Sequence, residues 1–258
     1  MFEGSYFLFS LEKGIGILTL NRPPYNIFEA GFYVELGEVE DFIVKQSGIR
    51  CLIINANGKC FSAGIDLNYL QNVSSAYVLE KLPWLQRIYG FWQEQNYPVI
   101  AAVQGLCTGS GLELILGADI RVAAEDARFS LPEVQLGLSP DMGGTSRLTR
   151  LVGLGQAKRM ILTGEEIGAQ EALQIGLVEA VVSPEELMPR AMKMAKTIAR
   201  SPEAAVRFAK KGVNLTDEGG LRAGQIFEQA QSTYCCGTED LQQAVKAYMA
   251  MISSRNRK

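Results

Sequence analysis

The sequence has no histidine. That absence removes every Ser-His and Cys-His nucleophile pair and every His-ligated metal site at once, so no metal is expected and any chemistry rests on other groups. Cysteine is sparse and unpatterned: Cys51, Cys60, Cys107, Cys235 and Cys236 are an odd set with no Cys-x-x-Cys spacing. Free thiols in a reducing compartment are the expectation. No apolar run approaches the roughly 18 residues of a membrane span. Charge of one sign is also lacking, since 25 Lys and Arg face 28 Asp and Glu for a net −3. That balance gives no field for nucleic acid or an anionic membrane, and the basic tail Arg255, Arg257 and Lys258 reads as a solvated helix end. The first residues carry Glu3 and Glu12 and no early positive charge, which fits neither a secretory signal nor a transit peptide. A cytoplasmic address is expected.

What is present is an ordinary globular composition, 47% hydrophobic and 21% charged over 258 residues. Two short strands, residues 6–11 and 14–21, read as a hairpin closed by Asn21-Arg22-Pro23-Pro24. Phe28, Phe32, Leu36, Val39 and Ile43 follow at helical spacing. The run Cys51-Leu52-Ile53-Ile54 then reads as a buried strand and leads to a loop over residues 58–64. The block repeats as a helix near residues 76–95, a strand at 99–103, a glycine-rich turn at 105–111 and a helix from Leu112. Strands at 120–123, 128–131 and 177–182 and helices at 143–152 and 156–162 complete an alternating α/β pattern. After Ser183 the pattern is helical only, with start signals at Ser183-Pro184-Glu185, Ser201-Pro202-Glu203 and Thr238-Glu239-Asp240. No linker composition separates this part, so one domain is expected.

Chemistry concentrates in two glycine turns that each follow a strand. In Cys60-Phe61-Ser62-Ala63-Gly64-Ile65-Asp66 and in Gly105-Leu106-Cys107-Thr108-Gly109-Ser110-Gly111, small residues let backbone N–H groups approach a ligand, and the second turn opens a helix. Together they suit a two-donor oxyanion hole. Either turn alone is equally a plain tight turn, and the absence of Gly-Lys-Ser/Thr excludes a phosphate loop. Glu113 sits among Gly111, Leu112, Leu114, Ile115 and Leu116, where burial would hold its carboxylate at a pKa available for proton transfer. Glu133 after Leu131-Pro132 is either a reactive acid or the first turn of a short helix. Asp141 and Asp66 read locally as turn or cap aspartates. Trp84, Ile88, Phe91 and Trp92 form an aromatic stripe more typical of core than of a pocket.

Read together, the stretches Leu18-Thr19-Leu20-Asn21-Arg22-Pro23, Phe61-Ser62-Ala63-Gly64-Ile65-Asp66, residues 101–119, residues 129–152, Leu162-Thr163-Gly164 and Gly176-Leu177-Val178 resemble the crotonase superfamily of enoyl-CoA hydratases and isomerases. The resemblance implies an α/β spiral of ββα units over residues 1–200. It also implies that residues 201–258 form a helical C-terminal region of the same domain that builds a homotrimer or homohexamer. It implies an acyl-CoA thioester substrate, with no cofactor beyond the coenzyme A that the substrate carries. The thioester oxygen would be met by the backbone N–H groups of Ser62 and Ser110, and Ala63, Gly64, Ile65, Asp66 and Gly109 would line the substrate. Members usually carry glycine where this chain has Ser110, so a side chain is expected either to reshape the pocket or to strain the backbone.

Glu113 and Glu133 match the two catalytic glutamates of the hydratases, with Glu113 expected to activate water and Glu133 to protonate Cα. Asp141, in Pro140-Asp141-Met142-Gly143-Gly144-Thr145, departs from the hydratase pattern and resembles the second acid of dienoyl-CoA isomerases. Double-bond isomerisation through Glu133 and Asp141 is therefore the enzymatic alternative. A non-catalytic RNA-binding or scaffold role is the other. In the last helix Tyr248 keeps an aromatic position, but Ala250-Met251-Ile252 replaces a common basic segment, so the contacts to the coenzyme A nucleotide lie elsewhere.

Overall fold

The computed structural model describes residues 1–255, so Arg257 and Lys258 of the basic tail lie outside the described residues. The chain opens with β1 (Phe2–Glu3), the hairpin β2 (Phe7–Glu12) and β3 (Ile15–Leu20), then α1 (Ala30–Val44) and β4 (Cys51–Ala56). The short α2 (Leu67–Leu70) and the longer α3 (Ser75–Glu94) lead to β5 (Val99–Val103), β6 (Leu106–Thr108) and α4 (Ser110–Leu116). Next come β7 (Ile120–Ala124), β8 (Arg128–Ser130), a 3-10 turn at Glu133–Leu136 and α5 (Gly144–Thr163). The remainder is β9 (Ile167–Gly168), α6 (Ala169–Gln174), β10 (Ala180–Val182), α7 (Leu187–Arg200), α8 (Glu203–Cys236) and α9 (Glu239–Arg255).

Seven strands form one sheet in the order β1-β2-β3-β4-β5-β7-β10, antiparallel at the hairpin and parallel from β3 onward. Because both faces of its parallel half are covered, β4 and β5 are apolar almost throughout. Leu52, Ile54, Ala101 and Val103 face α1 and α3, whose Leu36, Val39, Ile43, Ile88 and Trp92 are fully buried. Cys51, Ile53, Ile100 and Ala102 point the other way, onto Leu187, Ala191 and Ala195 of α7. The aromatic stripe is thus core material, as expected. All five cysteines are free thiols.

A second sheet, β6-β8-β9, carries the site. Its strand β6 lies inside the stretch expected to be one glycine-rich turn, because Leu106, Cys107 and Thr108 pair in parallel with Arg128, Phe129 and Ser130. The strand expected at 177–182 begins only at Ala180, since the Leu177 and Val178 N–H groups still bond to Ala172 at the end of α6. The two helices expected at 143–152 and 156–162 run on through a break at Gly153, whose φ of 78° is open to glycine. Thr238 begins α9 as expected, with its Oγ1 accepting from the Leu241 N–H. Ser201 does not cap α8: its hydroxyl donates back to Thr197 O at 3.2 Å, and the helix starts at Glu203 behind Pro202.

Candidate active site

A cleft of about 990 Å³ opens between α2, α3 and the segment following β8. Its wall is mostly apolar, with Leu70, Val73, Val78 and Leu82 along α2, α3 and the link between them, and Leu136 and Met142 from the segment after β8. At the inner end stand Glu113, Glu133, Ser110, Ile65 and Tyr33, with Asp141 at the rim. A cleft of this size with a few converging polar groups suits a small-molecule or cofactor-bearing substrate.

Glu113 projects from the first turn of α4 and is 1% exposed. Its Oε1 accepts hydrogen bonds from the Met142 and Gly144 N–H groups, each at 2.9 Å, so one oxygen is fixed and Oε2 is left to the cleft. Burial pushes its pKa up to about 8; the charges of Glu133 and Asp141 add to the rise, and the two backbone donors oppose it. Glu133 begins the 3-10 turn after Pro132, so it is both a helix-start residue and a member of the cleft. Its Oε2 is buried without a hydrogen-bond partner among the described residues, and burial raises its pKa to about 7, helped by Asp141. Asp141 lies exposed at the cleft's rim, its pKa also raised by desolvation, and its carbonyl accepts from Gln86 Nε2 at 2.8 Å. The three expected acids therefore share one cleft.

The expected backbone donors are corrected at one position. Ser62 forms a parallel bridge with Cys107, so its N–H is spent on Leu106 O at 3.0 Å and its carbonyl accepts from Thr108. An N–H already committed inside a bridge has none left for a substrate oxygen. Ala63 N–H is likewise spent on Tyr25 O, Gly64 N–H on Ser62 Oγ, and Asp66 N–H on Phe28 O. In the whole turn from Phe61 to Asp66, only the Ile65 N–H has no acceptor among the described residues, and Ile65 lines the cleft. Gly64, at φ 83°, makes this possible; a Cβ there would sit 2.8 Å from Thr108 O and 3.7 Å from Ser110 N, so the two turns abut.

Ser110 N–H, at the start of α4, has no intrahelical acceptor and is the second free donor. The left-handed φ of 54° falls on Gly109, so Ser110 itself carries no backbone strain; its side chain joins the cleft wall instead. Ala63, Gly64, Asp66 and Gly109 shape the turns and do not line the cleft. Asp66 is a cap, its Oδ1 accepting from Asn68 and Tyr69 N–H at 2.7 and 3.0 Å. Gly109 holds room for Glu133, since a Cβ on it would meet Glu133 Oε1 at 3.1 Å.

Sequence reasoning missed Tyr33, whose buried hydroxyl lines the inner end beside Ser110 and Tyr89, and Gly144 as a carboxylate ligand. Tyr33 was hidden because its helix position reads as core. The Gly143-Gly144 pair was visible, but nothing local says which side chain its N–H groups meet.

Comparison with known proteins agrees with this geometry. The enoyl-CoA hydratase/isomerase family model matches residues 10–253. The chain is 35% identical to the crotonyl-CoA hydratase of Syntrophomonas wolfei over 92% of each protein, and 35% identical to the 2,3-dehydroadipyl-CoA hydratase of Escherichia coli over 95% of this chain and 96% of that one. The crystal structure of an enoyl-CoA hydratase from Bacillus anthracis superposes with a TM-score of 0.90 at 31% identity, covering 96% of this chain and 97% of that one. With a crotonase-type fold, two free backbone donors and a carboxylate pair in one cleft, the chain belongs to the enoyl-CoA hydratase/isomerase family.

Proposed function

We propose that this protein is an enoyl-CoA hydratase, adding water across the 2,3 double bond of an enoyl-CoA thioester. The observation that carries the reading is the convergence of Glu113, Glu133 and the unspent N–H groups of Ile65 and Ser110 on one largely apolar cleft. The thioester oxygen accepts from those two N–H groups, which hold the enolate charge as it develops; one such donor is worth about 3–4 kcal/mol in a transition state. Glu113, anchored through Oε1, takes a proton from water with Oε2 while the oxygen attacks Cβ. Glu133 delivers a proton to Cα. The raised pKa values of both acids, about 8 for Glu113 and about 7 for Glu133, support one proton shared by the pair near neutral pH; they do not place it, and hydration runs through the form that carries it on Glu133. Addition of water is redox-neutral, so the coenzyme A of the substrate is the only carrier the reaction calls for.

The position of Asp141 in the same cleft favours a second reading, a proton shuttle between Glu133 and Asp141 that moves a double bond. Product mass separates the two, because hydration adds one water and isomerisation adds nothing. Loss of crotonyl-CoA absorbance with wild type and Glu133→Gln tests the leading reading. A variant within about tenfold of wild type, where a general acid contributes about 10²-fold or more, contradicts it.

The apolar residues left exposed on α8 and α9, among them Leu221, Ile226, Val245 and Ile252, support residues 201–258 as an oligomerisation region for a trimer or hexamer. No described helix is long and apolar enough to cross a membrane. The acidic balance and free thiols support a cytoplasmic enzyme without nucleic-acid partners.

A further inference from the structure

We propose that Arg147 is a positioning residue for Glu113, and that through Gln93 it ties the placement of that carboxylate to the C-terminal helix α8. The proposal rests on Glu113 being catalytic. Glu113 is held by the Met142 and Gly144 N–H groups, and the carbonyl of the same Met142 accepts from Arg147 Nη1 at 3.0 Å. Guanidinium and carboxylate therefore grip one short loop from opposite sides. The backbone leaves room for this: a Cβ on Gly143 would sit 2.0 Å from Arg147 Nη1, and one on Gly90 would sit 2.9 Å from Nη2. Gly143 also has φ 115°, which other residues rarely adopt.

The far side of the guanidinium points to α8. Arg147 Nε donates to Gln93 Oε1 at 3.2 Å; Gln93 Nε2 donates to Glu218 Oε1 at 3.3 Å, and Gln93 O accepts from Asn214 Nδ2 at 3.2 Å. A second tie, Arg150 to Asp217 at 3.0 Å, joins α5 to α8 directly. Between them lies a crevice of about 640 Å³ lined by Gln93, Arg147, Arg150, Lys210, Asn214 and Asp217. Side chains do not pack this crevice shut, so the polar ties along it fix how α8 meets the site.

Among the described residues no carboxylate lies within ion-pairing distance of Arg147, although the residue is half-buried. A partly desolvated cation without a direct partner gains little if its only task is packing. Its charge is felt by Glu113 on α4 and Glu94 on α3, and opposed by Arg150 on α5. Around Glu113 the other titratable groups are Glu133, Asp141, Tyr33 on α1 and Tyr89 on α3, none of them cationic. Arg147 is thus a positive charge that acts on Glu113 from behind the loop it grips.

The test compares Arg147→Gln, Arg147→Lys, Gln93→Leu and the double variant Asn214→Ala, Glu218→Ala with wild type and Glu113→Gln. The readouts are kcat, KM and the pH dependence of kcat/KM on one enoyl-CoA, together with thermal midpoints. Arg147→Gln is expected to lower kcat at least about tenfold, as misplacement of a catalytic group does, with KM within about threefold of wild type. The acidic limb of kcat/KM should move to higher pH, because losing the cation makes the Glu113 carboxylate harder to form. Arg147→Lys should restore the limb more than it restores kcat, since lysine keeps the charge and loses the fork. Gln93→Leu and the α8 double variant, which leave the loop and its arginine intact, should each lower kcat about threefold or more.

Unchanged kcat and pH limb in folded Arg147→Gln overturn the positioning role. Should that variant not fold, unchanged kcat in Gln93→Leu and in the α8 double variant overturns the coupling on its own. Wild-type turnover in Glu113→Gln would instead remove the catalytic reading on which the proposal stands.

Discussion

The Gly144 N–H donates to Glu113 Oε1 at 2.9 Å, and a Cβ built on Gly144 would stand 2.9 Å from that same oxygen and 2.5 Å from Pro140 Cβ. The glycine is thus both a ligand of the carboxylate and the space it occupies. Gly144→Ala is expected to push Glu113 out of place and lower kcat by about 10²-fold. Steady-state kinetics on a folded variant check this, and an unchanged kcat would show that Glu113 does not need this seat.

The two acids predict a bell-shaped pH profile. Glu113 and Glu133 are raised to about 8 and about 7 by burial, and the active form holds one proton between them. Below the bell both acids are protonated and no base remains; above it both are ionised and no acid remains. The maximum of kcat/KM is expected between these values, with rate lost on each side. Glu133→Gln should erase the bell and cost about 10²-fold or more. A flat profile from pH 5 to pH 9 would count against the pair.

Glu40 offers a test of stability away from the site. It is 1% exposed on α1, neither carboxylate oxygen has a hydrogen-bond partner among the described residues, and burial raises its pKa to about 9, with Arg87 opposing. An acid whose folded pKa lies above its unfolded value of 4.5 releases its proton more readily when unfolded, so the native state weakens as pH rises through that window. Glu40→Gln should raise the thermal midpoint at pH 8 by a few degrees, about 1 kcal/mol or more. At pH 4 the gain should largely vanish, and equal gains at both values would refute the assignment.

The Lys210 side chain on α8 is 6% exposed and reaches Asp119 Oδ2 at 2.8 Å, Trp92 O at 3.0 Å and Tyr97 O at 3.1 Å. Burial lowers the pKa of the lysine and raises that of the aspartate, and the charge of each opposes the other's shift. Lys210→Met leaves the aspartate uncompensated and should destabilise the fold by about 3–5 kcal/mol. Denaturant unfolding would reveal it, and a loss below about 1 kcal/mol would mean that α8 contributes little to holding the core.

How far the sequence could be read follows from what each element depends on. β4 and β5 were legible because strands buried on both faces are apolar almost throughout, and α1 because its apolar residues recur on one side. β6 was not, because three residues between glycines look like a turn until their partner strand β8 is known. The acids were legible in place and not in environment: Glu113 lies among apolar neighbours, while the seat that fixes its Oε1 comes from residues 142–144, far along the chain. The error at Ser62 has the same origin. Which N–H in a small-residue turn is free depends on bonds to Leu106, Tyr25 and Phe28, and those pairings exist only in the folded chain. Ile65 is the donor left over.

The most direct measurement of the central claim is the mass of the product formed from a trans-2-enoyl-CoA, followed with absorbance, for wild type, Glu113→Gln and Glu133→Gln. Wild type is expected to yield a product heavier by one water, and each substitution to lower its formation by about 10²-fold or more. A product of unchanged mass, or substituted enzymes that hydrate at the wild-type rate, would contradict it.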